Sequence, residues 1–281
     1  MKNNTSVYPS KVKDYSVSNE EFELKHDSKY DYLCTFPAPS PEDLPRYYES
    51  ENYISHTDGK RSLFEKAYQW VKSISLKRKI QIVRKHSKGG NLLDIGAGTG
   101  DFVLTAKQAG FNAVGAEPSV VARKHAEDKG VSLLSSTERI ADYSQDAITM
   151  WHVLEHVPDV NAQIGELKRL LKPDGILVIA VPNYKSFDAI HYGKYWAAFD
   201  VPRHLYHFSK DSIRTLFNES GFSVEAIYPM KFDAYYVSLL SEKYRHGKMR
   251  VINAAWTAFR SNLKAMKTGE YSSLIYIITN K

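Results

Sequence analysis

Asn91-Leu92-Leu93-Asp94-Ile95-Gly96-Ala97-Gly98-Thr99-Gly100-Asp101 is an apolar run that ends in an acid and continues into three glycines at alternate positions. Glu117 stands seventeen residues beyond Gly100, after a second apolar run. A strand that turns through glycines into a helix brings bare backbone N–H groups up to a ligand, where a Cβ would obstruct the approach. A carboxylate at the tip of the next strand can accept hydrogen bonds from both hydroxyls of a ribose. The stretch therefore predicts an α/β sheet with a nucleoside site at its edge.

Two details bear on which nucleoside. The dinucleotide fingerprint is G-x-G-x-x-G, whereas here the third glycine comes one residue early. Asp94 beside a pyrophosphate would face like charge in a low-dielectric cleft. Beside S-adenosylmethionine it would face an ammonium and a sulfonium, and the sign reverses. The pattern Asp94-x-Gly96-x-Gly98-x-Gly100 resembles the first motif of class I S-adenosylmethionine-dependent methyltransferases. Glu117-Pro118, Trp151-His-Val-Leu-Glu-His-Val-Pro158 and Leu171-Lys-Pro-Asp-Gly175 with Val181-Pro-Asn183 add to the likeness. The last two look like the branch that holds quinone-precursor O-methyltransferases and polysaccharide-cluster methyltransferases. The resemblance covers 91–229 and the final strand.

That resemblance implies an α/β fold with a seven-stranded, mostly parallel, doubly wound sheet, and S-adenosylmethionine as cofactor. It implies that Asp94, Gly96, Ala97 and Gly98 line the methionine part of the cofactor, with Gly100 in the same loop. Glu117 and Pro118 would hold the ribose and adjoining adenine, and Ser136 or Thr137 the adenine. Met150, Trp151 and His152 would flank the transferable methyl group. Some members of the branch begin with a cysteine-rich zinc segment. Cys34 stands alone here, so that metal site is not expected.

Composition frames these readings. A chain of 281 residues, 43% hydrophobic, can bury one large core or one core with an appended subdomain. No apolar run approaches the roughly 18 residues of a membrane span, and Met1-Lys-Asn-Asn-Thr-Ser carries no apolar leader. One cysteine excludes an internal disulfide and fits a reducing compartment, so a cytoplasmic location is expected. The net charge of +6 is modest, and no nucleic-acid partner is expected.

Residues 1–88 read as an N-terminal extension and 89–281 as the methyltransferase domain. In the extension, Glu21-Phe-Glu-Leu-Lys and Tyr30-Asp-Tyr-Leu-Cys-Thr-Phe alternate around His26-Asp-Ser-Lys29 and predict a small hairpin. A short helix is expected from Pro41. Leu63, Ala67, Trp70, Val71 and Ile74, then Leu76, Ile80 and Val83, predict a long amphipathic helix over 60–88, closed by Gly89-Gly90. Its basic run, Lys72 to Lys85, reads as a solvated face. Strands are expected at 91–95, 112–116, 131–134, 146–150, 175–181, 222–228 and 273–279, with helices between, clearest at 160–171 and 209–220. Insertions at 182–208 and 230–271 are expected to cap the active site, since open α/β sheets bind ligands beyond the carboxyl ends of their strands.

Three constellations follow from these segments. His152, Glu155 and His156 share a face if a helix begins near Trp151, an H-x-x-E-H spacing that metal sites also use. A structural role for Glu155 and His156 competes with ligation, and no metal is assigned. In Tyr195-Trp196-Ala-Ala-Phe199-Asp200-Val-Pro-Arg203-His204-Leu-Tyr206-His207-Phe208 the aromatic density predicts a lid or pocket wall. Trp196, Arg203 and Tyr206 are its candidate acceptor contacts, Arg203 through two-point pairing with an anion. His204, His207 and then His152 are candidate bases. In the third insertion Met249, Ile252, Trp256, Phe259, Leu263 and Met266 recur three and four apart between basic residues. This face is expected to pack on protein, over the acceptor pocket or a twofold mate. A membrane-surface helix is the alternative.

The expected reaction is methyl transfer from S-adenosylmethionine to an oxygen of a small-molecule, sugar or lipid-linked acceptor. A nucleic-acid base or other N-methyltransferase is the rival enzyme, disfavoured because Met150-Trp151-His152-Val153 replaces the Asn/Asp-Pro-Pro-aromatic stretch of amino-group methylases. A non-catalytic S-adenosylmethionine-binding protein is the third reading.

Overall fold

The alternating segments around His26 do pair. In a computed structural model, which describes residues 8–40, 42–48 and 63–281 with side chains of the last stretch from Gln69 onward, strand β1 (Lys11–Lys13) lies antiparallel to β2 (Glu21–Asp27), and β2 to β3 (Tyr32–Phe36). Asp31 makes the hairpin turn in the left-handed region, φ +58°. A 3-10 turn covers Leu44–Tyr48, and Pro41 lies outside the described residues. Helix α1 (Leu63–His86) follows, then β4 (Asn91–Ile95), α2 (Asp101–Gln108), β5 (Asn112–Ala116), α3 (Val120–Asp128) and β6 (Gln145–Trp151). Next come α4 (Val160–Leu170), β7 (Leu171–Pro182), α5 (Phe187–Tyr192), β8 (Tyr206–His207) and α6 (Lys210–Glu219). The chain continues through β9 (Phe222–Pro229), α7 (Asp233–His246), α8 (Val251–Thr268) and β10 (Ser273–Asn280).

These elements divide into two units. One gathers the described residues before 60 with Val181–Thr215 and Tyr228–Leu274, and the other gathers those up to Ala180 with Leu216–Ile227 and Ile275–Lys281. The hairpin thus belongs with the two insertions, and α1 with the large sheet.

The large sheet has the order β5-β4-β6-β7-β10-β9, with β5, β4, β6 and β7 mutually parallel. Its central strands are buried on both faces, which is why their sequences are apolar at the buried positions, Asp94 and Thr149 apart. Among the described residues the sheet has six strands, not the seven expected. Residues 131–134 contribute one parallel bridge, Ala116 with Leu134, closed by Leu134 N–H to Gly115 O and Glu117 N–H to Leu134 O, both 2.8 Å. The segment lies at the edge of the sheet beside β5, and Ser132, Leu134, Ser135 and Ser136 are exposed. With little to bury there, the pairing ends after one residue.

Helix α1 buries Ile80, Ile82 and Val83, so its inward face is set near its C-terminal end. Trp70, placed on the apolar stripe by spacing, is 65% exposed. Leu63 and Ala67 lie outside the described side chains. The basic run is not merely solvated: Lys72 Nζ is 2.8 Å from Asp101 Oδ2, and Arg84 donates to Ala109 O.

In the other unit β3 also pairs antiparallel with β8, giving the sheet β1-β2-β3-β8. Its core gathers Phe22, Leu24, Leu33 and Tyr47 with Tyr192, Trp196 and Phe199. A buried carboxylate, Asp188, accepts from Trp196 Nε1 (2.8 Å), Ser261 Oγ (2.6 Å) and Ser272 Oγ (2.7 Å), joining three distant stretches of chain. Helices α7 and α8 pack together through small residues. Ala254, Ala258, Ser261 and Ala265 of α8 are buried, as are Ala234, Ser238 and Ser241 of α7. The Met249–Trp256–Leu263 face is exposed in the single chain, so it does not cover a pocket of its own chain as one of the two expectations had it. Close approach of two helices favours small side chains at the contact, so the large ones point away.

Candidate cofactor site

The glycine loop follows β4 and is held at every turn. Gly96, Gly98 and Gly100 all have positive φ, +70°, +53° and +77°. A Cβ on Gly96 would lie 2.4 Å from Val153 Cγ2, so the loop after β6 packs directly on the glycine loop. At Gly98 nothing lies within 4 Å of a built Cβ, leaving its face open. Asp101, at the start of α2, clamps the loop's far end through Thr99 Oγ1 (2.9 Å), Lys72 and Lys129 (3.2 Å). Burial raises its pKa, but the hydrogen bond and charge of Lys72, with Thr99 and Lys129, outweigh that and hold it below the usual value.

Two acids flank this loop. Asp94 is 2% exposed, and Thr149 Oγ1 donates to its Oδ1 at 2.6 Å across the β4–β6 register. Burial pushes its pKa up to about 7, against the Thr149 hydrogen bond and the Lys79 charge and with help from the Glu117 charge. Glu117 accepts from Gly98 N–H on Oε2 and from Ser119 N–H on Oε1, both 2.9 Å. Its carboxylate thus ties the open glycine to the tip of β5. Arg123 in turn donates to Glu117 O and Pro118 O (2.6 and 2.7 Å).

Met150 is buried in β6, opposite Ile95. Trp151 stacks edge-on against Phe102 (centroids 5.2 Å apart), and Lys79 Nζ lies 4.3 Å from its ring centroid. The indole N–H of Trp151 is buried with no acceptor among the described residues. His152 adopts φ +58°, its N–H donating to Ala180 O at 2.9 Å. This conformation breaks the helical registry that H-x-x-E-H suggested. Only Leu154–His156 form a 3-10 turn. The His152 and Glu155 side chains still meet, Nδ1 to Oε1 at 3.3 Å, with Glu155 fully buried. A non-glycine residue held at positive φ is costly and tends to mark a working site. Ser136 is exposed, and Thr137 donates to Glu166 Oε1 at 2.5 Å.

The remaining candidates fall in the unit containing the hairpin. Trp196 is core, its indole on Asp188. Arg203 is buried, with Nε and Nη2 on Asp200 and Nη1 on Tyr47 O (2.7 Å), so its two-point pairing is made within the chain. His204 Nδ1 is 2.9 Å from Ala198 O, a carbonyl that can only accept, so Nδ1 carries a proton. Thr35 Oγ1 donates to His204 O (2.6 Å) and therefore accepts from His207 Nε2 (3.0 Å). Burial, then the charge of His204, lowers the His207 pKa well below its ordinary value, leaving the ring neutral. Tyr206 is half-buried, its ring edge-on to Tyr32.

Sequence reasoning missed Thr149, Lys79 and Lys129. Thr149 was detectable as the lone polar residue in Ala147-Ile-Thr-Met-Trp151. Lys72 and Lys79, seven apart, share a helical face, but nothing in the spacing names their partners.

A family model described as a methyltransferase domain matches residues 66–227, more than half of the chain. The ubiquinone biosynthesis O-methyltransferase of Actinobacillus pleuropneumoniae is 34% identical over 138 residues, 43% of this chain and 59% of that protein. That of Azorhizobium caulinodans is 28% identical over 161 residues, 52% and 64% respectively. The chain thus spans about three fifths of the length of these relatives. Among solved structures, magnesium protoporphyrin IX methyltransferase from Synechocystis with bound S-adenosylmethionine aligns over 87% of this chain and 99% of its own, at TM-score 0.54 and 15% identity. Geranyl diphosphate C-methyltransferase from Streptomyces coelicolor gives 0.55 at 13% identity, over 87% and 100%. Those two likenesses show the fold.

The chain belongs to the methyltransferase-domain family. One of the solved structures that share its fold carries bound S-adenosylmethionine. The site fits that molecule: an open glycine face, a buried acid poised near neutrality that a cation would ionise, and a second acid at the tip of the next strand.

Proposed function

We propose that the chain methylates an oxygen of a small hydroxylated acceptor, with His152 as general base. The observation that carries this reading is the His152–Glu155 pair, held at the tip of β6 beside the glycine loop. The carboxylate of Glu155 orients the ring through Nδ1, and Nε2 would take the acceptor's proton. His152 is preferred to His207, whose Nε2–H is committed to Thr35 and whose ring is a weak base.

The cofactor supplies an electrophilic methyl carbon on a sulfonium. Asp94 and the Gly96–Gly98 backbone would hold its methionine end, and Glu117 its ribose. His152 Nε2 removes the hydroxyl proton as the oxygen forms its bond to the methyl carbon. The C–S electron pair stays on sulfur. Alignment of the two reactants can lower the barrier by roughly 7–11 kcal/mol, and a base adds about 10²–10⁴-fold.

The relatives named for ubiquinone biosynthesis make phenolic quinone precursors the first acceptors to test. Sugars and lipid-linked glycans come next. Transfer of labelled methyl to a phenol panel should fall by about 10²–10⁴-fold in His152→Ala, with S-adenosylhomocysteine affinity nearly unchanged. Full turnover in that variant would remove His152 as base. Cofactor binding without turnover on any acceptor would favour the non-catalytic reading.

A further inference from the structure

Helix α8 is built inside out. Its buried face is Ala254, Ala258, Ser261 and Ala265, while its large apolar residues face outward. Ile252 is 85% exposed, Trp256 60% and Met266 70%, with Phe259 and Leu263 also exposed between them. Together they run 252, 256, 259, 263, 266, one continuous stripe at helical spacing. The Trp256 and Phe259 rings stack at 5.9 Å. Phe232, exposed at the start of α7, adjoins this helix, since Asn262 Nδ2 donates to Lys231 O at 3.0 Å. A contiguous exposed apolar face of this kind marks a binding surface.

Charge selects the occupant. Lys243–Thr268 contains seven Lys and Arg and no Asp or Glu. All seven are exposed, at both ends of α8 and beside the stripe. Arg260 and Lys264 lie over the Phe187 ring, at 5.3 and 3.9 Å, which keeps their charges next to the stripe. A second copy docked by a twofold axis would bring this basic helix against itself, with no acid on it to pair. An anionic lipid surface complements both features, taking the apolar side chains among its acyl chains and the cations at its headgroups. Among the described residues no helix is long and apolar enough to cross a membrane, so such a helix lies in the interface plane.

We propose that the α8 face docks the enzyme on an anionic lipid bilayer. The test uses the full chain with phosphatidylcholine vesicles, with and without phosphatidylserine, at low and high salt. Co-sedimentation with the phosphatidylserine vesicles should be strong at low salt and lost at high salt. A blue shift of tryptophan emission should accompany it and disappear in Trp256→Phe. Each basic residue near the surface multiplies partition by about fivefold, so Lys264→Glu with Lys267→Glu should weaken binding by roughly a hundredfold or more. Ile252→Ser with Trp256→Ser should abolish the insertion. These positions are exposed, so circular dichroism and S-adenosylhomocysteine affinity should stay as in the parent. Absence of vesicle binding, or binding indifferent to both double variants, overturns the proposal. So does a dimer in sedimentation equilibrium that Trp256→Ser dissolves, or salt-sensitive capture by an acidic protein with none by vesicles.

Discussion

Thr149 donates its hydroxyl proton to Asp94 at 2.6 Å, from one parallel strand to its neighbour, inside a sheet that leaves the acid 2% exposed. Burial dominates over the hydrogen bond, and the carboxyl titrates near 7 rather than 3.8. The folded pKa is raised, so the stability that the protonated acid contributes is fully present below the unfolded value and is lost as pH rises through about 7. A ligand ammonium placed beside Asp94 reverses the preference and favours the carboxylate. S-adenosylhomocysteine affinity, measured by calorimetry, should therefore rise with pH up to and through about 7. Asp94→Asn should weaken binding and flatten both dependences.

Glu117 is the acceptor for two backbone amides, Gly98 and Ser119. Glu117→Ala removes charge-assisted contacts worth about 1.5–3 kcal/mol each. Cofactor affinity should fall roughly ten- to hundredfold, and titration with NAD should show no compensating gain.

Gly115 faces Asp94 across the β4–β5 register in a space already filled. A Cβ there would lie 2.6 Å from Leu133 Cδ2 and 2.8 Å from Ala97 Cβ and Val103 Cγ2. Gly115→Ala should destabilise the fold by about 1–3 kcal/mol in urea unfolding. Because Ala97 belongs to the glycine loop, cofactor affinity should fall too.

Asp188 gathers donors from Trp196, Ser261 and Ser272. Asp188→Ala strands three buried donors, each costing about 1–3 kcal/mol. Asp188→Asn keeps the shape but offers only one acceptor oxygen. The alanine variant should lose about 3 kcal/mol or more in chemical unfolding, and the asparagine variant less.

What the sequence reveals here is local, and what it hides is partnership. The Asn91–Asp101 stretch shows its strand, its turn and its helix start, because glycine spacing and apolar runs report backbone geometry directly. The 195–208 segment shows that it is buried through its aromatics, yet nothing local says that Trp196 seats on Asp188 and Arg203 on Asp200. H-x-x-E-H looks helical until His152 takes φ +58°, a choice made by the Ala180 hydrogen bond on the next strand. In α8 the 3-4 spacing identifies a face correctly but not its direction. The small residues at 254, 258, 261 and 265, matched by Ala234, Ser238 and Ser241, were the better guide to what lies inside.

The pairing of Leu33 with His207 and Cys34 with Tyr206 has a consequence for biosynthesis. Some 170 residues separate the two partners, so at about 5–20 residues per second the first strands leave the ribosome roughly 10–30 s before their mate exists. Closing so long a loop is entropically expensive and slow. Until then β3 is an unpaired edge, able to recruit other nascent chains. Ser272, the last of the Asp188 donors, arrives later still. Folding of this unit thus waits until Ser272 has been synthesised, and a holdase that shields its early hairpin should raise soluble yield more than one acting on the large sheet.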